Sequence, residues 1–375
     1  MLRGSLQLCS IRGIPIRIHF TWLIIFGLVS WTLASGYFPQ HYPDLPVAAY
    51  WLRGIIAALL LFGSILVHEL MHAIMAQKLR MPIGGITLFA LGGVAELKGE
   101  PPTAGAEFMV AIVGPLTSFI LAGVFWVVWE VIEDGRMGTI FSGIAAYLVT
   151  INIVVAVFNL LPAFPLDGGR VLRAILWRIT QNVKQATSWA TRIGQGVAYL
   201  LILLGALALF TGAGFQGVWM AVIGVFLLQS AQASYTQLVV QQALAGIAVR
   251  DIMVREVTTV RPQLSVTDLI NQYFLTYGYG GFPVEENGRV LGLVSLRRVK
   301  QIPPEARDQM SVREVMRPLE ERLTIAPDDD TSVAFRRMAD EDLGRLMVME
   351  RGRLVGLVTK TGLSRFLQLK LELQL

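Results

Sequence analysis

The chain has 375 residues, of which 54% are hydrophobic and only 16% charged. A soluble domain carries about 25% charged residues, so an ordinary soluble protein is excluded and a membrane protein is indicated. The formal charge of +5 comes from basic residues beside apolar runs, where membrane topology requires them, so nucleic acid is not expected as a partner. Cys9 is the only cysteine, which excludes an intramolecular disulfide and a cysteine-based metal site. The N-terminal segment lacks a long apolar core and a small-residue cleavage site, so no signal peptide is expected.

In chain order, segment 6–18 alternates like a strand pair broken at Gly13. Apolar spans of about 20 residues, the length needed to cross a bilayer, are expected at roughly 19–38 and 54–77. Segment 83–97 has strand-like residues punctuated by Gly84-Gly85 and Gly92-Gly93, which suggests a hairpin with an open edge; a surface turn is the alternative. Further spans are expected at 105–131, 140–162, 194–212 and 217–236, the last two joined into a tight helical hairpin by the Gly-rich tract 211–216. After about residue 245 the chain reads as an ordinary soluble sequence.

Lys and Arg choose the side. Arg3, Arg12 and Arg17 precede the first span, and Lys78, Arg80 and Lys98 follow the second. Arg170, Arg173, Arg178, Lys184 and Arg192 lie between the fourth and fifth, whereas the opposite loops offer only Arg53 and Arg136. Both termini and the soluble part are therefore expected in the cytoplasm, in a multi-pass cell-membrane protein. The expected fold is a polytopic α-helical membrane protein of about six transmembrane helices with small β-hairpin elements, followed by a cytoplasmic α/β domain.

His68-Glu69-Leu70-Met71-His72 falls in the second span. Residues i and i+4 share a helical face, so both imidazoles can reach one metal ion, and Glu69 can reach a water on it. A carboxylate inside a span costs about 2.5–3.5 kcal/mol on insertion scales, so its default reading is functional. A polar cluster joining helices is the alternative. A catalytic zinc takes three protein ligands, so a third must come from elsewhere. His19 and His41 lie outside the expected spans and are poor candidates. The tract from Asn159 to Arg170 closes the fourth span; Pro162 and Pro165 break the helix, and Gly168-Gly169 permits close backbone approach. Asp167 is thus a carboxylate on irregular backbone at the membrane edge, where such backbone survives only if buried or lining a cavity. Its alternative role is an N-cap for a helix beginning near Arg170.

With these residues the chain resembles the site-2 protease family of intramembrane zinc metalloproteases. The matching positions are His68, Glu69 and His72, then Asn159, Pro162, Pro165, Leu166, Asp167, Gly168 and Gly169, with Gly92-Gly93 and Gly114-Pro115 as weaker features. The resemblance covers about residues 1–235. It implies a zinc metalloendopeptidase with one Zn²⁺ per subunit, bound by His68, His72 and Asp167. It implies Glu69 as the catalytic acid/base and Asn159 as a residue that holds substrate or oxyanion. The implied partners are a transmembrane protein substrate and the lipid bilayer.

Residues 246–370 contain a duplication. Val249-Arg250-Asp251-Ile252-Met253 recurs as Val312-Arg313-Glu314-Val315-Met316, and Arg289–Ser295 recurs as Arg353–Thr359. Each copy reads strand, helix, strand, turn, strand, helix, and Asn287-Gly288 is a hairpin turn. This looks like a tandem CBS pair, which implies an adenosine nucleotide as ligand and a homodimer through the pair. Such sites commonly place an Asp three residues after a Ser or Thr; here Ser295 leads to Arg298 and Thr359 to Gly362. A ligand-free dimerisation or gating module is therefore the alternative. The expected domains are a transmembrane metalloprotease domain at 1–240 and CBS repeats at 246–304 and 309–370. Two rival readings exist. A CBS-regulated transporter or channel needs repeated halves, which are not evident. A silent substrate-binding receptor is disfavoured by the intact Glu69.

Overall fold

The computed structural model describes residues 5–90, 92–97, 101–133, 138–212 and 214–373, and divides the chain into two units, 1–236 and 237–375. Arg3, Lys98 and Arg136, counted above for orientation, lie outside the described residues.

In the first unit, β1 (Ser5–Ile11) and β2 (Ile14–His19) form a hairpin. Arg12 and Gly13 turn it with φ of 50° and 77°; positive values at both central residues match the right-handed twist of the flanking strands. The first span, α1 (Thr21–His41), includes a π-helical turn at Leu33–Tyr37. Next come α2 (Val47–Lys78), β3 (Ile83–Phe89) and β4 (Gly92–Leu97). The remaining helices are α3 (Ala104–Glu133), α4 (Gly138–Asn159), α5 (Asp167–Thr180), α6 (Val183–Phe210) and α7 (Gly214–Leu244).

Six of these stretches, all but α5, are long and apolar enough to cross a membrane. Much of their apolar surface faces outward: Ile24, Ile120, Val127 and Leu203 are all more than half exposed. A soluble protein does not carry so wide an apolar surface, but lipid tails can cover it.

The helix boundaries depart from the sequence expectation in an informative way. The second span begins at Val47 rather than near residue 54, so Arg53 lies inside α2, fully buried against the rings of Phe38 and Tyr42. The first span reaches His41, which is therefore not outside it. The fifth begins at Val183, where the Asn182 side chain accepts from the amides of Lys184 and Gln185, and so contains Lys184 and Arg192. Apolar counting marks only the lipid-facing stretch, whereas a helix continues until a cap or a proline stops it.

The strands form one sheet in the order β1-β2-β3-β4, with β2 and β3 parallel and the other pairs antiparallel. Ile14 and Ile86 pack from it onto Ala73 of α2. β1 and β4 are its edges. The tract after α4 runs as turns, with a cis Phe164–Pro165 peptide, and its Ala163 and Leu166 pack against α6 and α7. A Cβ on Gly205 of α6 would meet Ala221 N and Gly217 O of α7 at 2.7 Å, so these two helices touch backbone to backbone through small residues.

α5 does not span. It is amphipathic, and Arg173 on it is bound to Glu107 of α3, whose side chain is fully buried. Removing one partner of such a pair strands a buried charge.

The second unit has two three-stranded sheets. One is β5 (Gly281–Glu286), β6 (Arg289–Ser295) and β7 (Arg317–Pro318); the other is β8 (Thr324–Ile325), β9 (Arg345–Glu350) and β10 (Arg353–Thr359). α8 (Thr331–Asp340) precedes β9, and α9 (Lys360–Glu372) follows β10. The duplication extends to backbone detail. Asn287-Gly288 and Arg351-Gly352 turn the two hairpins with φ of 51°, 75° and 49°, 80°. A register shift falls at the equivalent place in each, opposite Val284/Glu285 and at Leu354/Gly356.

Arg173→Met, which leaves Glu107 buried and unpaired, is expected to destabilise the first unit by about 3–5 kcal/mol. Equilibrium unfolding in detergent, compared with the Glu107→Gln/Arg173→Met double variant, measures it; the double variant should recover most of the loss.

Candidate metal centre

α2 carries His68 and His72 one turn apart, both buried. Asp167, the first residue of α5, comes to meet them, its side chain 12% exposed. Asp167 therefore starts a helix three residues earlier than the sequence suggested, and its carboxylate does not cap that helix. Asp167 Oδ2 lies 3.2 Å from His68 Nε2 and 3.1 Å from His72 Nε2, and the two Nε2 atoms are 3.2 Å apart.

The opposite ring nitrogens decide what those three atoms are. His72 Nδ1 lies 2.6 Å from the carbonyl oxygen of Val110, which can only accept, so Nδ1 carries the proton in the neutral ring and Nε2 a lone pair. His68 Nδ1 lies 2.9 Å from Ser118 Oγ. Both partners sit on α3. The His72 lone pair, the His68 Nε2, which holds one when Ser118 accepts from Nδ1, and a carboxylate oxygen thus converge at nearly equal spacing. Ligands about 2.0–2.1 Å from a tetrahedral zinc stand about 3.3 Å apart, so the donor set and its spacing fit that ion. Among the described residues, His68, His72 and Asp167 are the only cluster of three metal-ligand side chains.

Glycine makes the convergence possible. A Cβ on Gly114 of α3 would overlap Nε2 of both histidines, so only a bare backbone fits there. A Cβ on Gly168 or Gly169 would run into the backbone of Leu160–Phe164. The glycines after Asp167 therefore press the start of α5 onto the turn that precedes it.

Glu69 lies beside the cluster, and its Oε2 accepts from the amide of Ala95 in β4 at 3.1 Å. Gly93 packs on the same side chain: a Cβ there would stand 2.5 Å from Glu69 Cγ. The edge expected to be open is thus partly engaged by Glu69. A cavity of about 420 Å³ joins these groups. His68, Glu69, His72, Asp167 and Asn159 line it, as do Gly92–Ala95 of β4. Asn159 closes α4 and faces this cavity without entering the three-atom cluster.

The sequence reading missed Ser118, Val110 and Arg170. A signal for the first two was present: Val110, Gly114 and Ser118 are spaced i, i+4, i+8, one face of α3. In the second unit, a cavity of about 610 Å³ is lined by Ser295, Arg298, Arg317, Glu341, Arg345 and Lys360, among others. Thr359 Oγ1 accepts from the amide of Gly362, so that hydroxyl caps its own helix.

The pattern of peptidase family M50 matches residues 56–141 and 130–204, and that of the CBS domain matches 249–304 and 312–369. Rip3 of Mycobacterium tuberculosis, which bears a provisional zinc-metalloprotease name, is 35% identical over 370 residues, covering 98% of this chain and 93% of its own. The zinc metalloprotease MJ0392 of Methanocaldococcus jannaschii is 29% identical over 374 residues, covering 99% of each chain. The solved structure of a site-2 protease from Methanocaldococcus jannaschii aligns with a TM-score of 0.42 and 30% identity, covering 62% of this chain and 95% of that one.

Gly114→Ala is expected to abolish metal retention, and Ser118→Ala to weaken it about 10–100-fold by releasing His68. Metal content after dialysis against a graded competing chelator checks both.

Proposed function

The chain belongs to peptidase family M50, and we propose that it cuts peptide bonds in or near the transmembrane segments of membrane-anchored proteins. The observation that carries this reading is the meeting of His68, His72 and Asp167 at 3.1–3.2 Å with Glu69 beside them, inside an apolar bundle. His68, His72 and Asp167 would hold a single zinc ion, and Glu69 would serve as acid/base. Bound there, zinc supplies a Lewis acid that makes water nucleophilic near neutral pH and attracts negative charge. Glu69 takes the proton as the water oxygen bonds to the scissile carbonyl carbon and the carbonyl π pair moves onto oxygen. When that pair returns and the C–N bond breaks, Glu69 passes the proton to the departing nitrogen. Asn159, on the cavity wall, is placed to hold the substrate backbone or the charged oxygen.

A transmembrane helix hides its peptide bonds in its own hydrogen-bond ladder, so it must unwind before attack. β4 offers a template. The amide of Ala95 points away from β3, and by strand alternation Gly93 and Leu97 present their backbone groups the same way. An unwound segment that pairs along this edge lies beside Glu69. The reading therefore favours substrates with helix-weakening residues near the cut.

The distribution of Lys and Arg supports a cytoplasmic second unit. The domain division 1–240, 246–304 and 309–370 is retained as our assignment, with the CBS pair as a regulatory module and a surface for homodimerisation. Its cleft supports an adenosine ligand poorly. Arg298 and Gly362 stand where a ribose-binding carboxylate is expected, and the carboxylates that do line the cavity, Glu341 and Asp342, come from other positions.

Glu69→Gln is expected to retain metal and lose cleavage of single-span substrates, and chelation to remove both. Metal content and product mass spectra on detergent-purified protein test this. Cleavage that survives in Glu69→Gln would defeat the assignment of the base, and cleavage that survives chelation would defeat the metalloprotease reading. In the same assay, placing Gly or Pro beside the cut is expected to speed cleavage relative to an all-Leu span.

A further inference from the structure

The cavity beside the metal centre contains a cation with no role in the chemistry above. Arg170 lines it together with His68, Glu69, His72, Asn159 and Asp167, and is the only Lys or Arg among its described lining residues. The sequence places it there. Asp167 and Arg170 stand at i and i+3 on α5, so both point to one face, about 5–6 Å apart at Cβ. Asp167 is fixed on the two imidazoles, and Arg170 follows it to the same wall.

Its neighbour on that face behaves differently. Arg173 is committed to Glu107 through Nε, at 2.6 Å, and through Nη2. Glu107, Asp167 and Glu69 are all near enough to act on the charge of Arg170. Yet among the described residues none of them forms an ion pair with it, as Glu107 does with Arg173. A guanidinium with five donors thus borders the reaction cavity without a committed carboxylate. Three acids nearby favour its charged form against burial, in a wall that also carries Ile65, Val154, Phe158 and Phe226.

We propose that Arg170 is a catalytic residue that donates to the scissile carbonyl oxygen as negative charge collects on it. The inference rests on the proteolytic reading above. When the water oxygen bonds to the carbonyl carbon, one full negative charge passes to the carbonyl oxygen while Glu69 holds the proton. Arg170 meets that charge with a charge-assisted hydrogen bond, roughly twice as strong as a neutral one. The gain is differential, because the carbonyl of the intact peptide carries only a partial charge. Asn159 presents a neutral amide from the end of α4, and suits alignment of the substrate backbone better than neutralisation of the oxygen.

The test compares wild type, Arg170→Gln, Arg170→Lys and Arg173→Gln in detergent, with a single-span substrate, a phosphinate peptide and a non-cleavable reduced-amide peptide. The phosphinate is anionic and tetrahedral at the reacting position, whereas the reduced amide lacks the oxygen. Arg170→Gln is expected to keep its zinc content and KM and to lose about 100-fold in kcat. Its Kd for the phosphinate should rise by a similar factor while that for the reduced amide stays the same. Arg170→Lys should recover part of kcat, because it restores charge without the planar fork. Arg173→Gln should lower the thermal midpoint and leave phosphinate affinity intact in the folded fraction. Unchanged kcat in Arg170→Gln, or a fall in kcat with no loss of phosphinate affinity, overturns the proposal while leaving the protease reading standing. Failure of wild type to cut any substrate defeats the protease reading, and this one with it.

Discussion

The structure of the first unit turns on three electron pairs directed at one point. Two imidazole nitrogens and a carboxylate oxygen at 3.1–3.2 Å repel one another unless a positive charge stands between them. The protein accepts that cost in advance. Val110 O and Ser118 Oγ on α3 fix the rings from behind, and Gly114 lets α3 approach closely enough for them to do so. On the other side, Gly168 and Gly169 fold the turn before α5 tightly enough to deliver Asp167. The fixed ring orientations leave the metal little ordering to do when it binds.

Charge placement in the remainder of the bundle follows from the same economy. A carboxylate is costly in an apolar interior unless it is met by a polar or charged partner, and those described near the centre are placed accordingly: Asp167 stands with the histidines where a cation fits, Glu107 has Arg173, and Glu69 has the Ala95 amide. These pairings also set the architecture. The first two hold α5 against α2 and α3, and the third anchors the sheet edge to α2. A non-spanning helix and a small sheet are thereby attached to a membrane bundle through polar groups as well as through apolar packing.

Much of this was legible in the sequence, for definite reasons. His68, Glu69 and His72 were visible because one helical turn fixes their relation, and the two hairpins because glycines, Gly13 in the first and two pairs in the second, punctuate strand-like residues. Asp167 could be named only as the carboxylate on a proline-broken tract; that it begins α5 follows from Gly168 and Gly169 packing on Leu160–Phe164, which is a tertiary fact. The helix starts at Val47 and Val183 were misplaced because hydropathy reports the solvent around a helix, not its hydrogen bonds. Ser118 and Val110 were hidden for another reason: a hydroxyl and a backbone carbonyl in an apolar span carry no mark until the partner helix is known. The left-handed Arg351 in the second hairpin was equally silent, since arginine does not announce a turn as Asn287-Gly288 does.

The hydrogen bond from Ala95 to Glu69 has a consequence for how such a protein can change over time. The strand edge and the carboxylate beside the three converging donors share an anchor, and Gly93 is packed against that same side chain. A substitution that reshapes β4 to suit a different partner also re-aims Glu69. Selection for new recognition and selection for retained chemistry therefore act on one short stretch of backbone. Divergence is freer in the parts of the sheet that do not touch Glu69, such as the outer strand β1, whose Leu6 and Leu8 are already exposed.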